Sequence, residues 1–241
     1  MVRTLEEAAA WVDGVGIALL FPKADVVLPS LWAEVNGSPE ENWAVRDADG
    51  TFVRWTDEMG FLWSAKDELP AAGLVCVGKH VARVATCVSP RLLPALVAAR
   101  GAAGPDGPLE ERVATLVADE GPLTGPQVRE AVGVPKREVD KAIASLHRSL
   151  VLTNSHLVEQ GGPWGAIAHD LLHRKWRLPP RLPERDDARR ELATTVLALA
   201  GELTAADLAG PFGWRRKEAA VLLDDVAVGR DGDGFRIWTR A

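Results

Sequence analysis

The stretches GPLTGPQVREAVGV (121–134) and GELTAADLAGPFGW (201–214) lie 80 residues apart and align without a gap. The match extends over 113–146 and 193–226. Gly121, Leu123, Thr124, Gln127, Val128 and Gly133 fall on Gly201, Leu203, Thr204, Asp207, Leu208 and Gly213. Lys136-Arg137-Glu138 falls on Arg216-Lys217-Glu218, and Ala142, Ile143 and Leu146 on Leu222, Leu223 and Val226. A gapless match of this length marks two copies of one module. Each copy spells a helix with an apolar stripe, which in the first is Leu109, Val113, Leu116 and Val117. A capping box at Thr124 and Gln127 opens a second helix, Gly133 ends it, and Pro135 starts a third. Strand-like segments follow at 151–153, 156–158 and 165–168 after Gly161-Gly162-Pro163. In the second copy they stand at 227–228 and 235–238 around Asp231-Gly232-Asp233-Gly234. Three short helices followed by a hairpin is the winged helix-turn-helix pattern.

Residues 1–104 read as one α/β unit. Thr4 and Glu7 form a capping box before an Ala-rich helix that Gly14 and Gly16 stop. Residues 17–21 form a buried strand, and Ser30 caps a helix through Val35. Strands are predicted at 51–55, 61–64, 74–78 and 81–87, and Ser89-Pro90 starts a helix to Arg100. The Gly- and Pro-rich stretch 101–108 is a linker. The expected architecture is an α/β N-terminal domain (1–104) followed by tandem winged helices. The first spans 105–183 and carries a basic linker, and the second spans 184–241. The whole is α+β and helix-rich.

Composition narrows the function classes. The 241 residues are 47% hydrophobic and 26% charged, ordinary for a globular chain, with a net charge of −6. No apolar run is long enough for a membrane helix, and the acidic start MVRTLEEAAAWVDG does not resemble a signal peptide, so a cytoplasmic location and no membrane partner are expected. Two cysteines, Cys76 and Cys87, support neither a disulfide framework nor a thiolate zinc site. Residues 1–107 hold 9 Lys/Arg against 14 Asp/Glu, whereas 171–190 hold seven bases against three acids. An acidic total argues against a nonspecific DNA coat but leaves room for a local basic face. Nine Trp and no Tyr are present; with acids as their neighbours, the five Trp of the first 63 residues read as packing groups.

In a winged helix the third helix meets phosphates and base edges. Both copies place bases there: Lys136, Arg137 and Lys141 in the first, Arg215, Arg216 and Lys217 in the second. The second has fewer competing acids. The run Arg174, Lys175, Arg177 and Arg181 joins the modules and could follow the DNA backbone. His169 and His173 have the i, i+4 spacing that shares one helix face, but lack a third ligand, so no metal or cofactor is expected. Asp67 and Glu68 read as an acidic pair in a loop, and Cys76 as core. There is no Walker A loop, no GxSxG and no dinucleotide fingerprint.

GPLTGPQVREAVGV and GELTAADLAGPFGWRRKEA are similar to winged-helix segments of the AlkZ/YcaQ DNA glycosylases. VGIALLFPKADVVLPSLW (15–32), WSAKDELP (63–70) and HDLLHRKW (169–176) resemble a smaller, AlkZ-related branch. The resemblance implies duplex DNA as a partner and a setting in DNA repair or genome maintenance. In the glycosylases a Gln-apolar-Asp/Gln motif positions the catalytic water. The corresponding stretch here, 15–22, holds neither Gln nor an acid. A substitute carboxylate would have to come from elsewhere, with Asp170 and Glu68 the candidates. Three classes stand open: a non-catalytic DNA binder, an AlkZ-like glycosylase acting on alkylated or crosslinked bases, and a protein-interaction adaptor. The first is the preferred expectation.

Overall fold

A computed structural model describes residues 1–101, 104–159, 165–231 and 236–239. Helix α1 (Leu5–Val15) opens as the capping box requires: the Thr4 hydroxyl accepts from the Glu7 N–H, and the Glu7 carboxylate accepts from the Thr4 N–H. Gly16 ends it at φ 78°, where a Cβ would stand 3.1 Å from Leu92. Strand β1 (Ile17–Leu19) follows, then α2 (Leu31–Asn36), capped by Ser30. Strands β2 (Ala44–Arg46) and β3 (Phe52–Trp55) form an antiparallel hairpin, and α3 (Asp57–Ala71) comes next. Strands β4 (Cys76–Gly78) and β5 (Thr86–Val88) complete a three-stranded antiparallel sheet ordered β1-β5-β4, before α4 (Leu93–Arg100).

Several local expectations for this region are corrected. Residues 61–64 are helix rather than strand. Thr56 caps α3, Asp57 and Glu58 favour its first turn, and Met59, Leu62, Ala65 and Leu69 are buried at helical spacing. Asp67 and Glu68 therefore sit on a helix and not in a loop. Over 81–87 only the end is strand, because Ala82 and Arg83 take φ of 54° and 61° in a tight turn. Ser89 opens a turn ahead of α4 instead of capping it: its carbonyl accepts from the N–H groups of Leu92 and Leu93. Trp32 is fully buried and packs with Phe21 and Trp43, yet Trp55 and Trp63 remain 46% and 43% exposed.

The remainder repeats one plan. Helix α5 (Pro108–Glu120), strand β6 (Leu123–Thr124), helices α6 (Gly125–Val132) and α7 (Lys136–Arg148), and strands β7 (Leu152–Val158) and β8 (Ala166–Leu171) enclose a sheet ordered β6-β8-β7. A short helix α8 (Leu172–Lys175) leads on. Then α9 (Arg185–Ala200), β9 (Glu202–Thr204), α10 (Ala205–Phe212), α11 (Arg216–Val226), β10 (Val228–Asp231) and β11 (Arg236–Thr239) form a sheet ordered β9-β11-β10. Capping boxes at Thr124/Gln127 and Thr204/Asp207 open the two middle helices, and Gly133 and Gly213 close them at φ 66° and 69°. The two strand pieces expected at 151–153 and 156–158 are one strand carrying a bulge between Asn154 and His156. Residues 102–103, 160–164 and 232–235, which include the Gly161-Gly162-Pro163 turn and most of the second hairpin turn, lie outside the described residues.

Among the described residues, three apolar cores hold the chain. One buries Val12, Trp32, Leu62 and Leu69 beneath α1, α2 and α3; another buries Val113, Val128, Val139, Leu146 and Leu152 within the first repeat. The largest joins Ile17, Leu92 and Leu96 to Leu192, Val196, Phe212 and Leu223, with α4 packed along α9. Among the described residues no helix is long and apolar enough to cross a membrane.

Candidate functional site

Lys136, Arg137 and Lys141 are exposed on the first turns of α7, as are Arg215, Arg216 and Lys217 at the start of α11. Lys136 pairs with Asp140 one turn on, and the Arg215 N–H reaches the Glu218 carboxylate. The two helices differ beyond their first turns. Val221, Asp224 and Asp225 on α11 face solvent, whereas α7 is packed through His147 (2% exposed) against the end of β4.

The basic linker divides. Arg174 is a structural clamp: Nε meets Asp170 at 2.6 Å, and Nη1 and Nη2 donate to the Ala118 and Val117 carbonyls at the end of α5. Lys175 donates to the Ala71 carbonyl at the end of α3. Both donate to carbonyls in the last turns of helices, where such acceptors are in excess; that of Val117 also accepts from the Gly121 N–H. Arg177 and Arg181 are exposed, Arg181 lying 3.7 Å from Glu184. Asp170 is 5% exposed and committed to Arg174 and the Leu171 N–H. Glu68 is exposed on α3; its neighbour Asp67 is buried against Lys66, with Oδ1 lacking a partner. Ile17, Ala18 and Leu19 are wholly buried in β1 and bring no polar side chain.

The expected His169/His173 pair does not form on a helix face. His169 is on the central strand β8, opposite Leu123 and Asn154, and His173 is on α8. Instead, the fold gathers His80, His147 and His169 where the turn after β4 meets α7 and β8. Their ring centroids stand 5.4 and 5.1 Å apart, the first pair stacked and the second edge-on. The hydrogen bonds set the protons. The Lys79 N–H donates to His147 Nδ1 at 3.2 Å, so the His147 proton is on Nε2, which donates to His169 Nδ1 at 3.1 Å. His169 therefore carries its own proton on Nε2. His80 Nδ1–H donates to the His147 carbonyl at 2.8 Å, leaving Nε2 toward Cys76 and Thr153.

Burial keeps all three rings neutral. It lowers His80 to about 4, with Arg100 adding to the effect and the His147 carbonyl opposing it. It lowers His169 to about 4, assisted by Lys79 and opposed by Asp140, and holds His147 well below its usual value with help from both neighbours. Burial also raises the Cys76 and Cys87 thiols to about 12, which leaves them unreactive core groups. Gly78 makes the cluster possible, because a Cβ there would lie 2.5 Å from both His147 Nδ1 and His80 Nε2. The His147 and His169 rings bond to each other and the His80 ring to a backbone carbonyl, so each ring already has a nitrogen engaged with a protein partner. Among the described residues no group of three His, Cys, Asp or Glu could hold a metal ion. A cleft of about 220 Å³ opens beside His169, walled by Lys79, Asn154 and Asp140 and by Ala85, Ile143 and Ala144. No sequence spacing announces this cluster, since its members are 67 and 22 residues apart.

No curated protein matches the chain by sequence. The fold is similar to that of Streptomyces sahachiroi DNA glycosylase AlkZ, with a TM-score of 0.55 and 15% identity, covering 97% of this chain and 64% of that one. The chain thus spans under two thirds of that enzyme's length. The family model described as AlkZ related matches residues 2–205. With most of its length matched in this way, the chain belongs to the AlkZ-related family.

Proposed function

We propose that the chain binds duplex DNA through its two repeats, read as tandem winged helices over 105–183 and 184–241, with 1–104 as a supporting N-terminal domain. DNA repair or genome maintenance is the setting that the AlkZ likeness favours. The carrying observation is that α7 and α11, third helices of matching repeats, both open with exposed bases: Lys136 and Arg137, Arg216 and Lys217. Such helices present their first turns to phosphates and base edges. The N-termini of α6 and α10 would add backbone amides toward a phosphate. Of the linker bases, Arg177 and Arg181 are the ones available to the DNA backbone.

The chain acts in this reading without AlkZ-type base excision. Excision needs a group that orients water beneath the sugar. The β1 stretch is apolar and buried, and Asp170 is engaged by Arg174. The test is release of free base from duplexes carrying alkylated purines or crosslinks, with Glu68→Gln and Asp170→Asn as controls. Release that disappears in either variant overturns the non-catalytic reading.

A second reading, a protein-binding adaptor, is favoured by exposed Phe52, Val53, Trp55 and Trp63; the two Trp, with Met59 and Gly60, line an apolar cavity of about 510 Å³ between β3 and α3. DNA affinity measured over a range of salt concentrations separates the two, because only the DNA reading requires binding that weakens linearly in log salt.

A further inference from the structure

The cleft beside His169 lies between the β4–β5 turn of the N-terminal part and the α7, β7 and β8 elements of the first repeat. Three hydrogen-bond donors line it without using their capacity on protein. His169 Nε2 is the donor end of the ring, as the His147 bond dictates. The Asn154 amide stands directly across the β7–β8 ladder from His169 and shares its face. Lys79 lines the cleft and is exposed, and its backbone N–H donates to His147. None of these three terminal groups has a hydrogen-bond partner among the described residues.

Charge narrows the ligand. The histidines are neutral, and of the two charged residues that wall the cleft Asp140 is paired with Lys136, whereas the Lys79 ammonium has no ion-pair partner among the described residues and is the group free to meet an anion. A cation would meet Lys79 and the His169 N–H, while a neutral apolar group would strand three donors. At about 220 Å³ the space falls below the roughly 300–1,000 Å³ of drug-sized sites, which suits a single small group. Ala85, Ile143 and Ala144 supply apolar walls that shield such a contact from water.

We propose that this cleft binds a monoanionic oxygen ligand, a DNA phosphodiester or a free carboxylate. Its ligand contacts are separate from those of the winged-helix reading, since none of the three donors is an exposed base of α7 or α11.

The test follows the His169 ring resonances of the full chain in long-range proton–nitrogen spectra during titration with dimethyl phosphate, acetate or a short DNA duplex. Sodium chloride at matched ionic strength is the control. Saturable shifts with dimethyl phosphate or acetate are expected, weakened about tenfold or more in Lys79→Gln, which keeps the backbone bond to His147. Asn154→Ala should weaken binding as well. Shifts produced by the duplex and reversed by dimethyl phosphate would assign the ligand to DNA; a silent duplex with saturating small anions would assign a free anion. No saturable shift from any of the three, or unchanged binding in both variants, overturns the proposal. Failure of DNA binding in a salt titration would leave the small-anion arm intact, so the two readings fail separately.

Discussion

His147 on α7 donates its Nε2–H to Nδ1 of His169 on β8, 3.1 Å away, while its own Nδ1 accepts from the Lys79 N–H. One imidazole thus joins the N-terminal part of the chain to the first repeat, and does so only in its neutral form. A proton on Nδ1 would turn the acceptor for Lys79 into a second donor.

Stability should therefore fall with acid. His80 is neutral in the folded chain down to about pH 4, whereas an unfolded histidine takes up its proton near 6.5. The unfolded state binds more protons between those values, so stability is full above about pH 6.5 and is lost as pH drops toward 4. His80 alone accounts for up to about 3 kcal/mol of this. Denaturant unfolding at pH 7.5, 6 and 5 measures it; a flat profile would show that the rings are not held neutral.

Gly78→Ala should destabilise the chain by about 1–3 kcal/mol, because its methyl group would overlap both imidazoles and they cannot both retreat without losing their bonds. Urea unfolding reads the loss. In the same variant the His147 and His169 ring resonances should shift, and unmoved resonances would mean that the backbone yields instead.

If α11 is the principal DNA contact, Arg216→Ala with Lys217→Ala should reduce the slope of log affinity against log salt by about one unit per contact removed. Arg137→Ala with Lys141→Ala should reduce it less, because the acids Glu138 and Asp140 stand among the bases at the start of α7. Fluorescence anisotropy with a labelled duplex gives both slopes. Equal slopes for all variants would remove both helices from the interface.

Leu146 is fully buried in the core of the first repeat, and its repeat partner Val226 is half-buried at the edge of the largest core. Leu146→Ala should cost about 2–5 kcal/mol and Val226→Ala clearly less. Thermal unfolding of the two variants checks the order.

Asp170→Asn should cost about 3 kcal/mol, toward the lower end for a broken buried pair because Arg174 is 35% exposed. The loss should appear at neutral pH with no DNA present, which marks Asp170 as a structural partner before any catalytic role is considered.

The sequence by itself determined the features that close within one turn of chain. Thr4/Glu7, Thr124/Gln127 and Thr204/Asp207 satisfy helix amides three residues away, and Gly133 and Gly213 end helices through their own φ. The gapless repeat carried the same local chemistry twice, so the matching element order of 108–171 and 185–239 could be read in advance. Residues 61–64 resemble a strand in sequence because Phe61, Leu62 and Trp63 form a short apolar run, while the stripe that buries α3 recurs only over its full length. Tertiary structure alone decided the rest. It drew His169 away from His173 into a β-ladder, bound Arg174 to Asp170 and the end of α5, and merged α4 with α9 in one core. It also set Gly78 beneath two imidazoles 67 residues apart in the chain. Those contacts depend on which distant surfaces exclude water together, and residue spacing along a chain holds no record of that.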